Sequence, residues 1–248
     1  MTTIAAWNLH HATDERKIPD EVTTVIESLK PDVLVLTEYV DGASRLGFKD
    51  ALRSRLGFNQ KIGISETVVG QNHVLIASKA SQVAPPVRLP CPTFTKAAET
   101  NFLHRYLPDI GLDVVGFRVP DYKPAAQRAS YWEQLEVCIL AARDRNAVFI
   151  GDFNWQPSEK RTASALAIKR IKQAGFQVVT PDEPWSFINA KGTGTSKIDH
   201  AVLTPSLSCR AARYIYKEGD VVLAGPSRDK PVSDHALLWL DVINRADA

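Results

Sequence analysis

At several points along the chain, acid, amide, histidine or arginine side chains stand directly beside runs of apolar residues. Asn8 follows the run Ile4–Trp7, and Glu38 comes two residues after Leu36, the last residue of the run Val33–Leu36. Arg118 follows Asp113–Phe117, and Asp152 and Asn154 follow Val148–Ile150. Asp199 and the pair Asp234–His235 lie instead just before their apolar runs. If the last two strands run antiparallel to the others, all of these groups converge on one rim. Like charges gathered so closely need a cation, and oxygen donors select a hard one, Mg²⁺ or Mn²⁺, over Zn²⁺. The chemistry that suits such a set is attack by water on a phosphate. A metal neutralises the phosphate oxygens, a carboxylate activates the water, and a His–Asp pair steadies the developing charge.

The elements that must position these groups alternate between strand and helix almost throughout. Val33–Leu36 is a continuous apolar run, the pattern of a strand covered on both faces. Val22, Val25, Ile26 and Leu29 recur at helical spacing, with Pro31 as the stop. Phe48, Leu52 and Leu56 mark a second helix ended by Gly57, and Tyr131, Leu135, Cys138, Ile139 and Ala142 form a third stripe. A helix from about Ser158 to Ala174, closed by Gly175, follows the Asp152 segment. Further strands are expected at His73–Ala77, Phe176–Val179, Ala201–Leu203, Arg213–Tyr216 and Leu237–Ile243. Residues Ala84–Thr100, rich in proline and small side chains, read as a long irregular loop. With no break in composition, the chain reads as one α/β domain over residues 1–248. The strand count suits two sheets packed face to face with helices outside.

Composition sets limits on function. The 248 residues are 44% hydrophobic and 23% charged, with a net charge of only +2. A nucleic-acid enzyme would therefore need a local basic surface rather than a basic chain. The first residues carry no basic segment followed by a long apolar one, and no run approaches a membrane span, so a cytoplasmic location and no membrane partner are expected. The three cysteines, Cys91, Cys138 and Cys209, are widely spaced and form no CxxC pair, which argues against a disulfide framework or a cysteine zinc site. No obligate protein partner is inferred.

Five segments together carry a resemblance: Ala6-Trp7-Asn8, Leu36-Thr37-Glu38, Gly151-Asp152-Phe153-Asn154, Lys197-Ile198-Asp199-His200 and Ser233-Asp234-His235. In this order the sequence resembles the endonuclease/exonuclease/phosphatase superfamily, which includes DNase I and the exonuclease III-type abasic-site nucleases. The resemblance implies a four-layer α/β/β/α sandwich of two mixed sheets. It also implies roles: Glu38 as principal metal ligand, Asn8 near metal or phosphate, and Asp234 as a further metal-side carboxylate. Asp152 would orient or deprotonate the attacking water with Asn154 as its partner. His235 would bind the scissile phosphate or act as acid/base, oriented by Asp199.

Two positions depart from the relatives' pattern. His10 stands where the abasic-site nucleases carry an acid, which bears on any second metal and makes His10 a candidate to face the site. Arg118, in Phe117-Arg118-Val119-Pro120, stands where relatives have a phosphate-contacting Tyr or His, and it could do that work through a bidentate contact. Other side chains have competing readings. His11 reads as a surface residue, and His73, His104 and His200 as structural. Trp155 is a candidate to stack on a base or sugar, against the core role large aromatics usually take. Trp185 and Phe187 could line the same pocket. Lys160, Arg161, Lys169, Arg170 and Lys172 make one helix basic, either as a solvated face or as a footprint for phosphates.

The expected function is a Mg²⁺-dependent hydrolase of phosphate esters, a phosphodiesterase or nuclease acting on DNA. A hydrolase of small phosphate esters is the alternative, and a binding module without catalysis is a third reading. The intact set of Glu38, Asp152, Asn154, Asp199 and His235 argues against the third.

Overall fold

In the computed structural model, residues 1–10, 16–59, 62–68, 70–121 and 124–247 are described. In chain order, β1 (Thr2–Asn8) leads through α1 (Asp20–Leu29) to β2 (Val33–Tyr39), and α2 (Leu46–Ser54) precedes β3 (Gly63–Ile64) and β4 (His73–Ser78). A short α3 (Lys96–Thr100) introduces β5 (Phe102–Leu107) and β6 (Leu112–Arg118), and α4 (Ala125–Ala141) crosses to β7 (Ala147–Asp152). Then come α5 (Ala163–Gln173), β8 (Gln177–Val179), a small ribbon of β9 (Phe187–Ile188) and β10 (Thr195–Ser196), β11 (Asp199–Leu203) and β12 (Leu207–Ile215). A second ribbon, β13 (Lys217–Glu218) and β14 (Val221–Val222), precedes the final strand β15 (Leu237–Asn244).

Two mixed sheets result. One is six-stranded, ordered β12-β15-β1-β2-β4-β3, and the other five-stranded, ordered β5-β6-β7-β11-β8. Each contains one parallel pair, β1 with β2 and β6 with β7. Each also contains the antiparallel late strand that the rim requires, β15 against β1 and β11 against β7.

Period-2 alternation sorts the side chains into layers. Ile4, Ala6, Val33, Val35, Val114, Val148 and Ile150 face inward between the sheets. Ala5, Trp7, Leu34 and Leu36 face outward under α1, which supplies Val22, Val25 and Ile26. On the opposite side, Val115, Phe117 and Phe149 are covered by α4 and α5 through Tyr131, Trp132, Leu135 and Ile168. This is the four-layer α/β/β/α sandwich expected from the resemblance. At about 25 cal/mol per Å² of apolar surface, three such clusters are its main driving force.

Several local readings need correction. The segment Ala84–Thr100 is not irregular throughout: Thr95 caps α3 by accepting from the Ala98 amide. The helix expected from about Ser158 starts at Ala163, where the Thr162 hydroxyl accepts from the Ala165 amide. The second helix ends at Ser54 rather than at Gly57. Strand β5 is not expected from the sequence, because His104 and Arg105 interrupt the apolar run that marks a strand.

Candidate active site

The parallel strands β1, β2, β6 and β7 end on the same edge of the sandwich. Asn8, Arg118 and Asp152 are the last residues of β1, β6 and β7. Cross-strand register then fixes neighbours: Arg118 stands opposite Asp152, and Asp152 stands opposite Asp199 at the start of antiparallel β11. Asp234 and His235 immediately precede β15 on the same edge.

Glu38 reaches this rim through a local distortion. The β2–β4 register shifts between Leu36 and Tyr39, and Glu38 has φ of 48°. A bulge of this kind re-aims one side chain without ending the strand. His10 (φ 51°) and Asn154 (φ 44°) also adopt left-handed backbone at the rim. Such conformations cost non-glycine residues roughly 1–3 kcal/mol each and concentrate where function over-determines the backbone.

The polar network is dense and buried. The Asn8 amide nitrogen donates to Glu38 Oε1 at 3.3 Å and to Asp152 Oδ2 at 3.2 Å, while its oxygen accepts from the His10 amide at 3.0 Å. Arg118 Nε lies 2.7 Å from Glu38 Oε1 and 3.6 Å from Asp152 Oδ2. Its N–H is not aligned on either oxygen, so the contact is one of charge rather than a hydrogen bond. Asn154 donates from its backbone to Asp152 Oδ1 at 2.9 Å, and its side chain donates to the Val119 carbonyl at 2.6 Å. His235 Nδ1 sits 2.9 Å from Asp199 Oδ2, and its Nε2 is 4.0 Å from Asp234 Oδ1.

Electrostatics follow from this packing. Burial, reinforced by the Asp199 charge, pushes the Asp152 carboxyl up to about 7 against the pull of His235 and Arg118. Burial alone would lower His235, but the Asp199 carboxylate outweighs it and raises the imidazole to about 9. A carboxyl poised near neutrality beside a held imidazolium is an arrangement for proton transfer at a charged substrate.

Residues 5–235, which contain every one of these groups, match the Endonuclease/Exonuclease/phosphatase family. The chain belongs to that family. It is accordingly a phosphoric ester hydrolase. No curated protein matches the sequence. Among solved structures, an AP endonuclease from Archaeoglobus fulgidus superposes with a TM-score of 0.74 at 22% identity, covering 99% of this chain and 100% of that one. The 3'-5' exonuclease NExo from Neisseria meningitidis gives 0.74 at 16% identity, covering 96% and 98%. The 3' phosphatase NExo (D146N) from Neisseria, bound to product DNA hairpin, gives 0.72 at 16% identity, covering 97% and 99%. At these identities the likeness establishes the fold.

Within this family frame the expected site residues separate into two groups. Asn8, Glu38, Arg118, Asp152, Asn154, Asp199, Asp234 and His235 come together at the rim. His10 joins them, its Nδ1 3.5 Å from Asp234 Oδ2 and 3.9 Å from Glu38 Oε2. It does so from a left-handed turn beyond β1, not from a strand face, and His11 lies outside the described residues.

Trp155 is a correction. It is 4% exposed and packs against His200 with ring centroids 5.0 Å apart, so it offers little ring surface to a base. Trp185 pairs with Tyr216 instead of lining the site, whereas Phe187 packs on the His235 ring at 5.0 Å. The basic segment is also reassigned. Lys160 and Arg161 precede α5, and Arg170 is clamped on Glu136 at 2.6 and 2.5 Å.

His73 and His200 are structural, as expected. The His73 ring lies between the Asp41 amide, 3.1 Å from Nδ1, and the Val68 amide, 2.9 Å from Nε2, and accepts from one of them. His200 bonds to Thr180 and to the Trp155 and Lys197 carbonyls.

Two supporting serines add to the site beyond what the sequence leads one to expect. The Ser233 hydroxyl donates to the Asn8 carbonyl at 2.7 Å and accepts from the His235 amide at 3.1 Å, which ties β1 to the His235 segment. The Ser186 hydroxyl accepts from the amides of Ile198 and Asp199 at 2.9 and 3.0 Å. Ser233 had a signal, its place beside Asp234–His235. Ser186 had none, since it is far from its partners in sequence.

Proposed function

We propose that the chain is a Mg²⁺- or Mn²⁺-dependent phosphodiesterase that acts on DNA. The observation that carries this reading is the convergence of Glu38, Asp152 and the Asp199–His235 pair on one rim. Four carboxylates there, Glu38, Asp152, Asp199 and Asp234, face one guanidinium, Arg118, and one imidazolium, His235. With Asp152 ionised, these carboxylates outnumber the cations in direct contact with them among the described residues, which favours a bound cation. Among the described residues no three His, Cys, Asp or Glu side chains are arranged as a ready-made metal cage. Mg²⁺ does not require one: it takes one or two carboxylates and completes its shell with water and substrate phosphates. Glu38, with Asn8 and Asp234, would hold the cation, which when bound neutralises charge on the phosphate oxygens as a Lewis acid.

The remaining steps belong to the chain. Asp152 accepts the proton of the attacking water, and the amides of Asn8 and Asn154 hold its two carboxyl oxygens in place. His235, kept charged and oriented by Asp199, donates from Nε2 to the scissile phosphate. Arg118 supplies a further positive charge to the same oxygens. The combination of positioning and preorganised charge is what phosphoryl chemistry chiefly demands.

Support for a polyanionic substrate comes from the surroundings. Arg16 and Lys230 line a hollow of about 300 Å³ that also contains His10 and Asp234. These two cations beside the rim are positive charges of the kind that phosphate contacts use. A solved structure of similar fold is a 3' phosphatase bound to product DNA hairpin. Residues 1–248 act as one catalytic unit, which the family match over 5–235 supports.

The test is cleavage of end-labelled duplexes, one intact and one abasic, with Mg²⁺, Mn²⁺ or EDTA. Metal-dependent cutting is expected, with at least a thousandfold loss in Asp152→Ala and His235→Ala variants that remain folded. An active, folded Asp152→Ala protein would overturn the assigned roles. No cutting with either metal would overturn the DNA reading and turn the search to small phosphate esters.

A further inference from the structure

Away from the rim, the edge where β3 meets β5 holds a cavity of about 420 Å³, inside the roughly 300–1,000 Å³ range of small-molecule sites. Its wall includes a side chain that the strand pattern does not predict. Along β5, Leu103 and Leu107 point into the core between the sheets, and period-2 alternation places Arg105 on that same face. Gly63 makes room for it, since a Cβ there would collide with the Arg105 Nε. An arginine at an inward-facing position ordinarily comes with a carboxylate.

Arg105 has none. Among the described residues neither Arg105 nor Arg88, which lines the same cavity, pairs with an acid. The nearby acids are already committed. Glu66 and Glu99 both bind Lys96, at 3.5 and 2.7 Å. Asp113 is shared by His104 at 2.7 Å and Arg145 at 3.7 Å, and Asp109 accepts from the Ser81 amide. Two guanidiniums thus face a cavity whose own carboxylates, Glu66 and Glu99, are both drawn to Lys96 instead, and Arg105 is lowered by its burial and by the Arg88 charge. The wall also carries Glu66, Glu99 and His104, and an apolar part in which Leu89, Phe102 and Leu103 are each at least nine-tenths buried.

We propose that this cavity is a second, non-catalytic binding site for a small organic phosphate. Its phosphate lies against Arg88 and Arg105, and its body packs on Leu89, Phe102 and Leu103. Two guanidiniums offer more donors than one carboxylate can accept, whereas a terminal phosphate, with three oxygens, accepts from both forks. The site is distinct from the catalytic rim, because Arg105 lies three residues along β5 from the Phe102–Phe117 pair, about 10 Å of strand. At about 420 Å³ the cavity suits a body of nucleotide size.

Isothermal titration of the full chain in EDTA, with inorganic phosphate, adenosine 5′-monophosphate and adenosine as probes, tests the idea. The monophosphate should bind more tightly than phosphate, and adenosine should not bind. Arg88→Ala, an exposed position, and Arg105→Met should each weaken the monophosphate at least tenfold. His235→Ala, at the catalytic rim, should leave its affinity within twofold. Absence of binding by both phosphate and the monophosphate at millimolar concentration overturns the proposal. So does binding that is lost in His235→Ala and kept in Arg88→Ala, or an Arg88→Ala change that weakens DNA alone. Circular dichroism establishes that each variant is folded, and if Arg105→Met is not, Arg88→Ala decides.

Discussion

His235 shows how one contact governs a residue's whole behaviour. Its Nδ1 is 2.9 Å from Asp199, and the carboxylate holds the imidazole charged up to about pH 9 although the ring is buried. The folded value lies above the ordinary value of about 6.5, so the pair's contribution to stability is complete below about pH 6.5 and is lost as pH rises through about 9. Asp199→Asn should therefore lose the most stability, on the order of a few kcal/mol, near pH 6. The deficit relative to wild type should shrink toward pH 9.5, and urea denaturation across that range measures it. A deficit that does not change with pH would mean that the pair acts by shape alone. The same variant should lower the His235 titration midpoint seen by NMR.

At the scale of the element, the rim depends on how strands end. Asp152 is presented by the last residues of β7, where Gly151 has φ of 145° and a Cβ would strike the Phe117 carbonyl oxygen. Gly151→Ala should cost more than about 2 kcal/mol and abolish hydrolysis, because relieving the clash parts β7 from β6 beside the Arg118–Asp152 pair. Thr162 provides the contrast. Its hydroxyl caps α5, outside the rim, so Thr162→Ala should cost about 1 kcal/mol and leave turnover unchanged. Paired denaturation and phosphodiester hydrolysis assays separate the two. Equal losses of activity in both variants would show that hydrolysis tracks overall stability, not the placement of Asp152.

Across the whole molecule, two buried groups pull stability in opposite directions with pH. His200 is held neutral: burial lowers it to about 4, against the opposing pull of the Trp155 carbonyl. Its folded value lies below the unfolded one, so it costs stability as pH falls from about 6.5 toward 4. Asp152, raised to about 7, does the reverse, and stability is gained as pH falls through that window. In metal-free protein the two should nearly cancel between pH 6.5 and 5. Asp152→Asn removes one of them and should expose a loss of about 1.4 kcal/mol per pH unit, read by thermal or urea unfolding in EDTA. A variant as flat as wild type would show that His200 takes up its proton without unfolding.

Much of this molecule is legible in the linear chain because its signals are local. Apolar runs of strand length, helical stripes such as Val22–Leu29, and polar residues at the ends of runs survive without knowledge of the partners. That is why Asn8, Glu38, Arg118, Asp152, Asn154, Asp199, Asp234 and His235 could be picked out as a set. What the sequence did not contain is distance. Whether Trp155 faces solvent or His200 depends on the packing of β11 against the loop after β7, and burial made it core. The bulge that aims Glu38 arises from β2 pairing with β4, a contact across some forty residues. Strand β5 was hidden because Arg105 breaks the apolar pattern, and only the sheet edge beside Gly63 shows where that charge goes. Pattern belongs to the chain, whereas convergence and charge balance belong to the fold, since both depend on contacts between residues remote in sequence.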